Sequence, residues 1–415
     1  MSRPGKTAEP VRSLGEANRF CHRRHSGVCF IYSSRCPGRS ECPSVSRRRD
    51  GNHRPETGAD ITKAGACAMR SFLRPAAGLV CLVALACAGC SAGDGDSSSS
   101  AGGGSDAAPS AGAGDADGSS GGSPTSYAPY VSATTAVDMD TAGSPSAYNL
   151  AFVISDGDDC APKWNGEYAL DNTAVKSRIE ALKESGAAVR VSFGGSSGKE
   201  LAATCDSASA LAKAYGAALD AAGTTLADFD IEGDELADSD SVALRSEAIA
   251  LLQKERAGLS VSFTLPVMPS GLETDGVALL ESANDHGVQV STVNIMTMNY
   301  GSSYTGDMGD YAITSARAAH DQLEKVFGLS SKAAWRGLAL TSMLGVNDVD
   351  GETFTLADAK QVRTFAEGKE VAWVSMWSTF RDQRCEDGSA SAGNAATDCS
   401  GVKQGRGDFA EAFSG

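Results

Sequence analysis

The chain has 415 residues and a formal net charge of −16, long enough for one large domain or two or three ordinary ones. The charge is uneven: residues 1–89 hold 15 Lys and Arg against 6 Asp and Glu, leaving 21 against 46 for residues 90–415, a net charge of about −25 there. That stretch repels nucleic acid and anionic lipid surfaces, so a neutral substrate is the easier partner.

In chain order, residues 1–68 come first. They are rich in Arg and carry Cys21, Cys29, Cys36, Cys42 and Cys67. They resemble neither a packed domain nor a targeting signal, and a signal that starts only at Met69 is unusual. The simplest expectation is that translation begins at Met69 and that 1–68 is upstream sequence read in frame. A genuine leader is the alternative. Residues 69–90, MRSFLRPAAGLVCLVALACAGC, place Arg70 and Arg74 before an apolar run from Ala76 to Ala88. This is the pattern of a secretory signal, with an apolar run too short for a comfortable membrane span. The small residues before Cys90 resemble a bacterial lipobox, although Cys87 stands where a branched aliphatic residue is usual. On that reading Cys90 is lipidated and the protein sits at the cell surface, on the outer face of a bacterial cytoplasmic membrane. Ordinary secretion and a retained single span are the alternatives. Residues 91–126 are Ser, Gly, Ala and Asp with almost no large apolar side chain, the composition of a flexible tether.

Residues 127–415 read as one globular domain. Short apolar, β-branched runs occur at 127–132, 148–155, 187–195, 226–232, 259–267, 290–298, 336–344 and 371–377. Amphipathic, helix-like stretches separate them, such as 174–185, 208–223 and 277–287. Eight strand–helix units in about 290 residues predict an α/β fold of the (β/α)8 TIM-barrel type. An open doubly wound sheet is the runner-up, but no Gly-rich dinucleotide or phosphate-binding loop follows the first strand. In a barrel, polar groups at the carboxyl ends of the strands are candidates for chemistry.

The fourth run carries such groups. In TLADFDIEG, strand alternation puts Asp228, Asp230 and Glu232 on one face and Phe229 and Ile231 on the other. Three carboxylates climbing a barrel interior cannot all ionise cheaply, so at least one keeps its proton near neutral pH and can act as a general acid. A run of solvated acids on an outer strand is the bland alternative, and a magnesium or calcium site is the other chemical one.

DFDIE closely resembles the signature of family 18 glycoside hydrolases, the chitinases and related N-acetylglucosaminidases, in which Asp-x-x-Asp-x-Asp-x-Glu ends the fourth strand. Thr225 stands where the first acid of that pattern falls. Three further features occur in order: Ser192-Phe193-Gly194-Gly195 on the third strand, Met298-Asn299-Tyr300 on the sixth, and Trp377 on the eighth. The family often has an acid after the tyrosine, and here it is Gly301. The resemblance covers about 127–415 and implies a retaining, substrate-assisted hydrolysis in which the substrate's 2-acetamido oxygen is the nucleophile. It implies Glu232 as general acid/base and Asp230 on the acetamide N–H. Asp228 shares a proton with Asp230, Tyr300 hydrogen-bonds the acetamide oxygen, and Trp377 forms the floor of the sugar pocket. Met298, Asn299, Ser192, Gly194 and Gly195 are expected around the substrate, and Trp164 is a candidate for stacking on the cleft rim. No cofactor and no metal are expected.

Four cysteines remain in the domain, and sequence alone allows three pairings. Loops on one barrel face can meet, which favours Cys160–Cys205, with Cys385–Cys399 pinning the loop after the eighth strand. Only His286 and His320 follow residue 90, which argues against a histidine-based triad or metal cluster. The expected function is an exported, monomeric chitinase acting on chitin or another N-acetylglucosamine-containing glycan. An endo-β-N-acetylglucosaminidase acting on glycan cores and a non-catalytic carbohydrate-binding barrel are the alternatives.

Overall fold

The computed structural model describes residues 123–386 and 398–415. Residues 1–122 lie outside it, and with them the signal segment, Cys90 and nearly all of the expected tether. The packed domain takes in the end of the expected tether: Thr125 is buried, and its hydroxyl donates to the carbonyl of Ala366 at 3.1 Å.

Eight parallel strands form the barrel. The first, β1, is in two pieces, Ser126–Tyr127 and Tyr130–Ser132. The others are β2 (Ala147–Asp156), β3 (Ala188–Gly194), β4 (Leu226–Asp230), β5 (Ser260–Pro266), β6 (Val290–Met296), β7 (Leu338–Met343) and β8 (Trp373–Trp377). Neighbours pair in sequence order from β2 to β8. Closure falls to β1, whose first piece pairs with β8 (Tyr127 opposite Val374) and whose second pairs with β2 (Val131 opposite Leu150). Pro129 sits between the two pieces, where its missing N–H breaks the ladder at the point where the strand changes partner.

Helices follow β2 to β8. They are α1 (Thr173–Glu184), α2 (Ala208–Ala222), α3 (Ser239–Glu255), α4 (Thr274–Asp285), α5 (Met308–Phe327), α6 (Leu356–Lys369) and α7 (Asp408–Ser414). After β1 the helix is reduced to a 3-10 turn, Asp138–Thr141. Side chains at the boundaries set the helix starts: Asn172, Ser207, Asp238, Asp307 and Thr355 each accept a backbone N–H of the first turn.

Strand alternation divides the apolar and polar chemistry. Val191, Phe193, Ala227, Phe229, Val261, Phe263, Val293, Ile295, Leu340 and Val374 are buried in the shell between sheet and helices. Phe229 stacks on Phe193 at 5.2 Å and meets Tyr215 of α2 edge-on at 4.9 Å. The opposite parity faces the barrel axis and is mostly polar: Asn149, Arg190, Ser192, Asp228, Ser262, Thr264, Asn294, Thr341 and Ser375 are all buried, with an apolar cluster of Trp373, Ala339 and Ala128 beside them. Many TIM barrels fill this space with branched apolar side chains. Here hydrogen bonds fill it instead, and this positions the site.

Two disulfides brace the loops at the carboxyl ends of the strands. Cys160, on the hairpin strand Asp159–Trp164 after β2, bonds Cys205 after β3. Cys385 bonds Cys399 after β8. No helix among the described residues is long and apolar enough to cross a membrane.

Candidate active site

The site is built upward from β4. Asp228 lies inside the barrel, 1% exposed, surrounded by hydroxyls. Its Oδ1 accepts from Ser262 (2.7 Å) and Thr264 (2.8 Å), and its Oδ2 from Ser192 (2.7 Å) and Tyr130 (3.0 Å). A second tier supports these donors. Asn294 donates to Thr264 at 3.0 Å, and Thr341 donates to Asn294 at 2.9 Å. Five strands thus send polar groups toward one carboxylate. Hydroxyls occupy both oxygens of Asp228, so its hydrogen bonds go to these donors and not to Asp230.

Asp230 is one step higher and lines the pocket. Its carboxyl adjoins that of Glu232, and its Oδ1 is buried without a protein donor. Burial, then the charges of Glu232 and Asp228, push its proton affinity well above the usual carboxylate range. Glu232 is also raised, first by burial and then by the charges of Asp348 and Glu235, against a lowering by the hydrogen bond to Asp230. Both acids therefore hold their protons more tightly than free carboxyls do. Glu232 is not the last strand residue that alternation predicts. β4 ends at Asp230, and Glu232 opens the short helix Gly233–Ala237, free to face the cleft.

The Ser-x-Gly-Gly stretch acts behind the pocket, not in it. Ser192 serves Asp228. Gly194 has φ +96°, and a Cβ there would lie 2.2 Å from the carbonyl oxygen of Asp230. Gly195 donates its N–H to that same oxygen at 2.8 Å, and a Cβ on it would strike the Phe152 ring. These three residues support the acid-bearing strand from behind the pocket. They allow β3 to press against the strand that carries the acids.

Trp377 does lie in the pocket, stacked on Phe152 at 5.6 Å and edge-on to Tyr130 at 5.8 Å. Met298 and Asn299 also line it. Two expected residues do not. Tyr300 points away from the acids: Ser315 of α5 donates to its hydroxyl at 3.5 Å, and its ring packs against Tyr304 and Tyr311. The cause is local. Past Met296 the chain leaves the barrel through Asn299 (φ +58°) and Gly301 (φ +112°), so strand alternation cannot be extended to residue 300. Trp164 is fully buried, paired with Val153 in the hairpin, and cannot stack on a sugar at the rim. Trp335 packs on His320 at 4.1 Å, far in sequence and fold from the carboxylate strand.

Sequence reasoning missed several lining residues. Tyr130 shares the inward parity of Asn149, its partner on β2, whereas Phe152 is out of that parity and lines the pocket where the β2 register shifts between Leu150 and Val153. Asp348 comes from the loop after β7, in a stretch without periodicity that could have marked it. The cleft extends to both sides of Glu232. One lobe, about 470 Å³ of open space, holds Trp377, Asp230 and Asp348. The other, about 480 Å³, is lined by Pro266, Met268 and Glu273. Glu232, Met296, Met298 and Asn299 belong to both.

This geometry can be set beside known proteins. No family model matches the chain. A protein of Escherichia coli strain K12 named "Probable bifunctional chitinase/lysozyme" is 35% identical over 275 residues, 62% of this chain and 31% of its own length. Endochitinase 11 of Metarhizium anisopliae is 33% identical over 274 residues, 62% of this chain and 52% of its own length. The chain thus spans about a third and about half of those two relatives. Among solved structures, the catalytic domain of a hyperthermophilic chitinase from Pyrococcus furiosus is 29% identical. The match has a TM-score of 0.62 and covers 70% of this chain and 94% of that domain. The barrel is chitinase-like: it is similar to a chitinase catalytic domain over 70% of this chain. In this chitinase-like barrel the DFDIE acids, the aromatic floor and the Gly-Gly contact occur together at the carboxyl ends of the strands. The tyrosine expected after β6 is the one motif residue turned elsewhere.

Proposed function

We propose that the barrel hydrolyses β-1,4-linked N-acetylglucosamine polymers with retention, the substrate's own acetamide supplying the nucleophile. One observation carries this reading: Asp230 presents a buried oxygen without a protein donor in the pocket floored by Trp377, and Glu232 lines the same pocket. An acetamide N–H is the donor that this oxygen lacks. Glu232, kept protonated by burial, would donate to the leaving glycosidic oxygen and then deprotonate the incoming water.

The spacing of the acids supports the substrate-assisted form. Conventional retaining glycosidases place their two carboxyls about 5–5.5 Å apart and inverting ones about 6.5–9.5 Å apart. Asp230 adjoins Glu232, and Asp228 is enclosed by hydroxyls, which favours neither as a separate nucleophile. Orientation of the internal nucleophile can supply a large part of the barrier reduction. Open space on both sides of Glu232 fits a polymer that crosses the cleft. A related Pyrococcus furiosus domain, 28% identical, has been solved with chito-oligosaccharides in catalytic-site mutants, which favours this substrate class over glycan cores.

Chito-oligosaccharide hydrolysis followed by NMR tests the proposal. The expected first product is the β-anomer, and Glu232→Gln is expected to lower the rate by about 10²–10⁴-fold. α-Anomer from the outset, or full activity in Glu232→Gln, would overturn it. Activity lost to a chelator would favour the metal reading.

We also propose export, with lipid anchoring at Cys90. The signal-like run 69–90 supports it, as do two disulfides, which persist in oxidising compartments. Mass spectrometry of the N-terminal peptide from membranes checks for the acyl group.

A further inference from the structure

Glu352 is an acid that the reaction above does not use. It lies in the loop after β7, between the paired segments Gly345–Val346 and Thr353–Phe354, and it is 0% exposed. Its carboxylate faces the backbone N–H groups of Asn299, Tyr300 and Gly301, and Gly301 N–H donates to Oε1 at 2.8 Å. Its Oε2 is buried without a partner. Burial raises its proton affinity, and the three N–H groups oppose that rise. Burying a carboxyl costs stability unless something compensates, so its position calls for a reason.

What it holds gives that reason. The turn it grips has backbone that side chains rarely adopt: Asn299 at φ +58° and Gly301 at φ +112°. That turn carries Met298 and Asn299, two of the residues that border both lobes of the cleft beside Glu232. The same loop also reaches the cleft directly. Asp348, four residues before Glu352, lines the first lobe and accepts from the Asn299 amide at 3.4 Å. Gly301 occupies the position after the tyrosine, where the motif often has an acid. A carboxylate from 51 residues later sits on its N–H instead.

We propose that Glu352 is a positioning residue for the hydrolysis, fixing the 299–301 turn from the β7 loop so that Met298 and Asn299 stand in register with Glu232. The proposal rests on the glycosidase reading. Glu352 touches no reacting atom. Its effect passes through the backbone of the turn.

Two measurements on the full chain test it together: amide hydrogen exchange of the 299–301 turn, and kcat and KM on chito-oligosaccharides, corrected for folded fraction. Glu352→Ala is expected to speed exchange in that turn and to lower kcat/KM by about 10- to 100-fold, the scale of a misplacement of about 1 Å. Glu352→Gln keeps one carbonyl oxygen for Gly301 and is expected to recover most of both. It also covers the case in which the alanine variant does not fold. Unchanged exchange in the folded variants overturns the proposal, and so does faster exchange with wild-type kcat and KM. A lower melting temperature alone would mark Glu352 as merely structural and counts against it. If the wild type proves inactive on chito-oligosaccharides, as Glu232→Gln does, the glycosidase reading fails and the role in that reaction falls with it. The exchange data would then still show whether Glu352 holds the turn.

Discussion

Asp230 is held where a carboxylate is uncomfortable. It is 5% exposed, one oxygen has no partner, and two other acids lie close by. Its raised folded-state proton affinity means that its stability contribution is fully present below its unfolded pKa and is lost as pH rises through the folded value. Replacing the acid with a neutral amide should therefore stabilise the fold at neutral pH while weakening, on the proposed mechanism, the acceptor for the acetamide N–H. Asp230→Asn is expected to raise the thermal midpoint at pH 7, with the gain shrinking as pH falls, and to lower kcat. Thermal unfolding across pH checks the first, and steady-state kinetics the second. An Asp230→Asn protein less stable than wild type at pH 7 would show that its hydrogen bond to Glu232 outweighs the burial cost. Asp348 acts on the same pair from outside. Its charge raises Glu232, after the larger effect of burial. On the proposed mechanism activity needs Glu232 protonated and falls as pH climbs through that group. Asp348→Asn removes the like charge and should move the alkaline limb of kcat/KM to lower pH, with the acid limb less affected. A limb that stays in place would mean that solvent screens Asp348 completely.

At the scale of elements, the β3–β4 contact and the loops above it set the acids in place. Gly194 and Gly195 allow the close approach, while Phe193, Phe229 and Tyr215 fix the outer side of both strands. The β2 hairpin adds Trp164 to the core and is tied to the β3 loop by Cys160–Cys205. This bridge closes a 45-residue separation that includes all of β3. Replacing both cysteines by Ala is expected to cost about 2–4 kcal/mol in chemical denaturation, mainly by freeing the unfolded chain. Because the bridge lies above the strands that hold Phe152 and Gly195, KM should rise more than kcat falls. Equal denaturation midpoints for the two proteins would show that the hairpin is held by packing alone.

Across the whole barrel, a polar interior replaces the usual apolar filling. Hydroxyls and amides from β1, β3, β5, β6 and β7 converge on Asp228 directly or through one neighbour, and each is buried. Such a network is worth its desolvation only when every member finds a partner, and here the partners come from strands more than 200 residues apart in sequence (Tyr130 and Thr341). The acidic surface and the two-sided cleft suit a neutral polymer, and the chitinase-like segment carries that cleft within a single barrel.

Much of this was legible in the residues themselves. Period-two apolar runs placed all eight strands within a few residues of their positions, because one face of each must be buried against helices. The same parity put Asp228 and Asp230 inside, and Trp377 at the end of β8. What parity could not reach lies where the backbone leaves the strands. Tyr300 fails because positive φ at Asn299 and Gly301 turns the chain, and Trp164 because a hairpin folds it back onto β2. Asp348 and Glu352 come from an irregular loop with no period to mark them. The sequence by itself determined the barrel and the order of the acids, since alternation is a local property of extended chain. Only the tertiary structure decided which side chains meet those acids, because those contacts join strands and loops distant in sequence and depend on how the barrel closes.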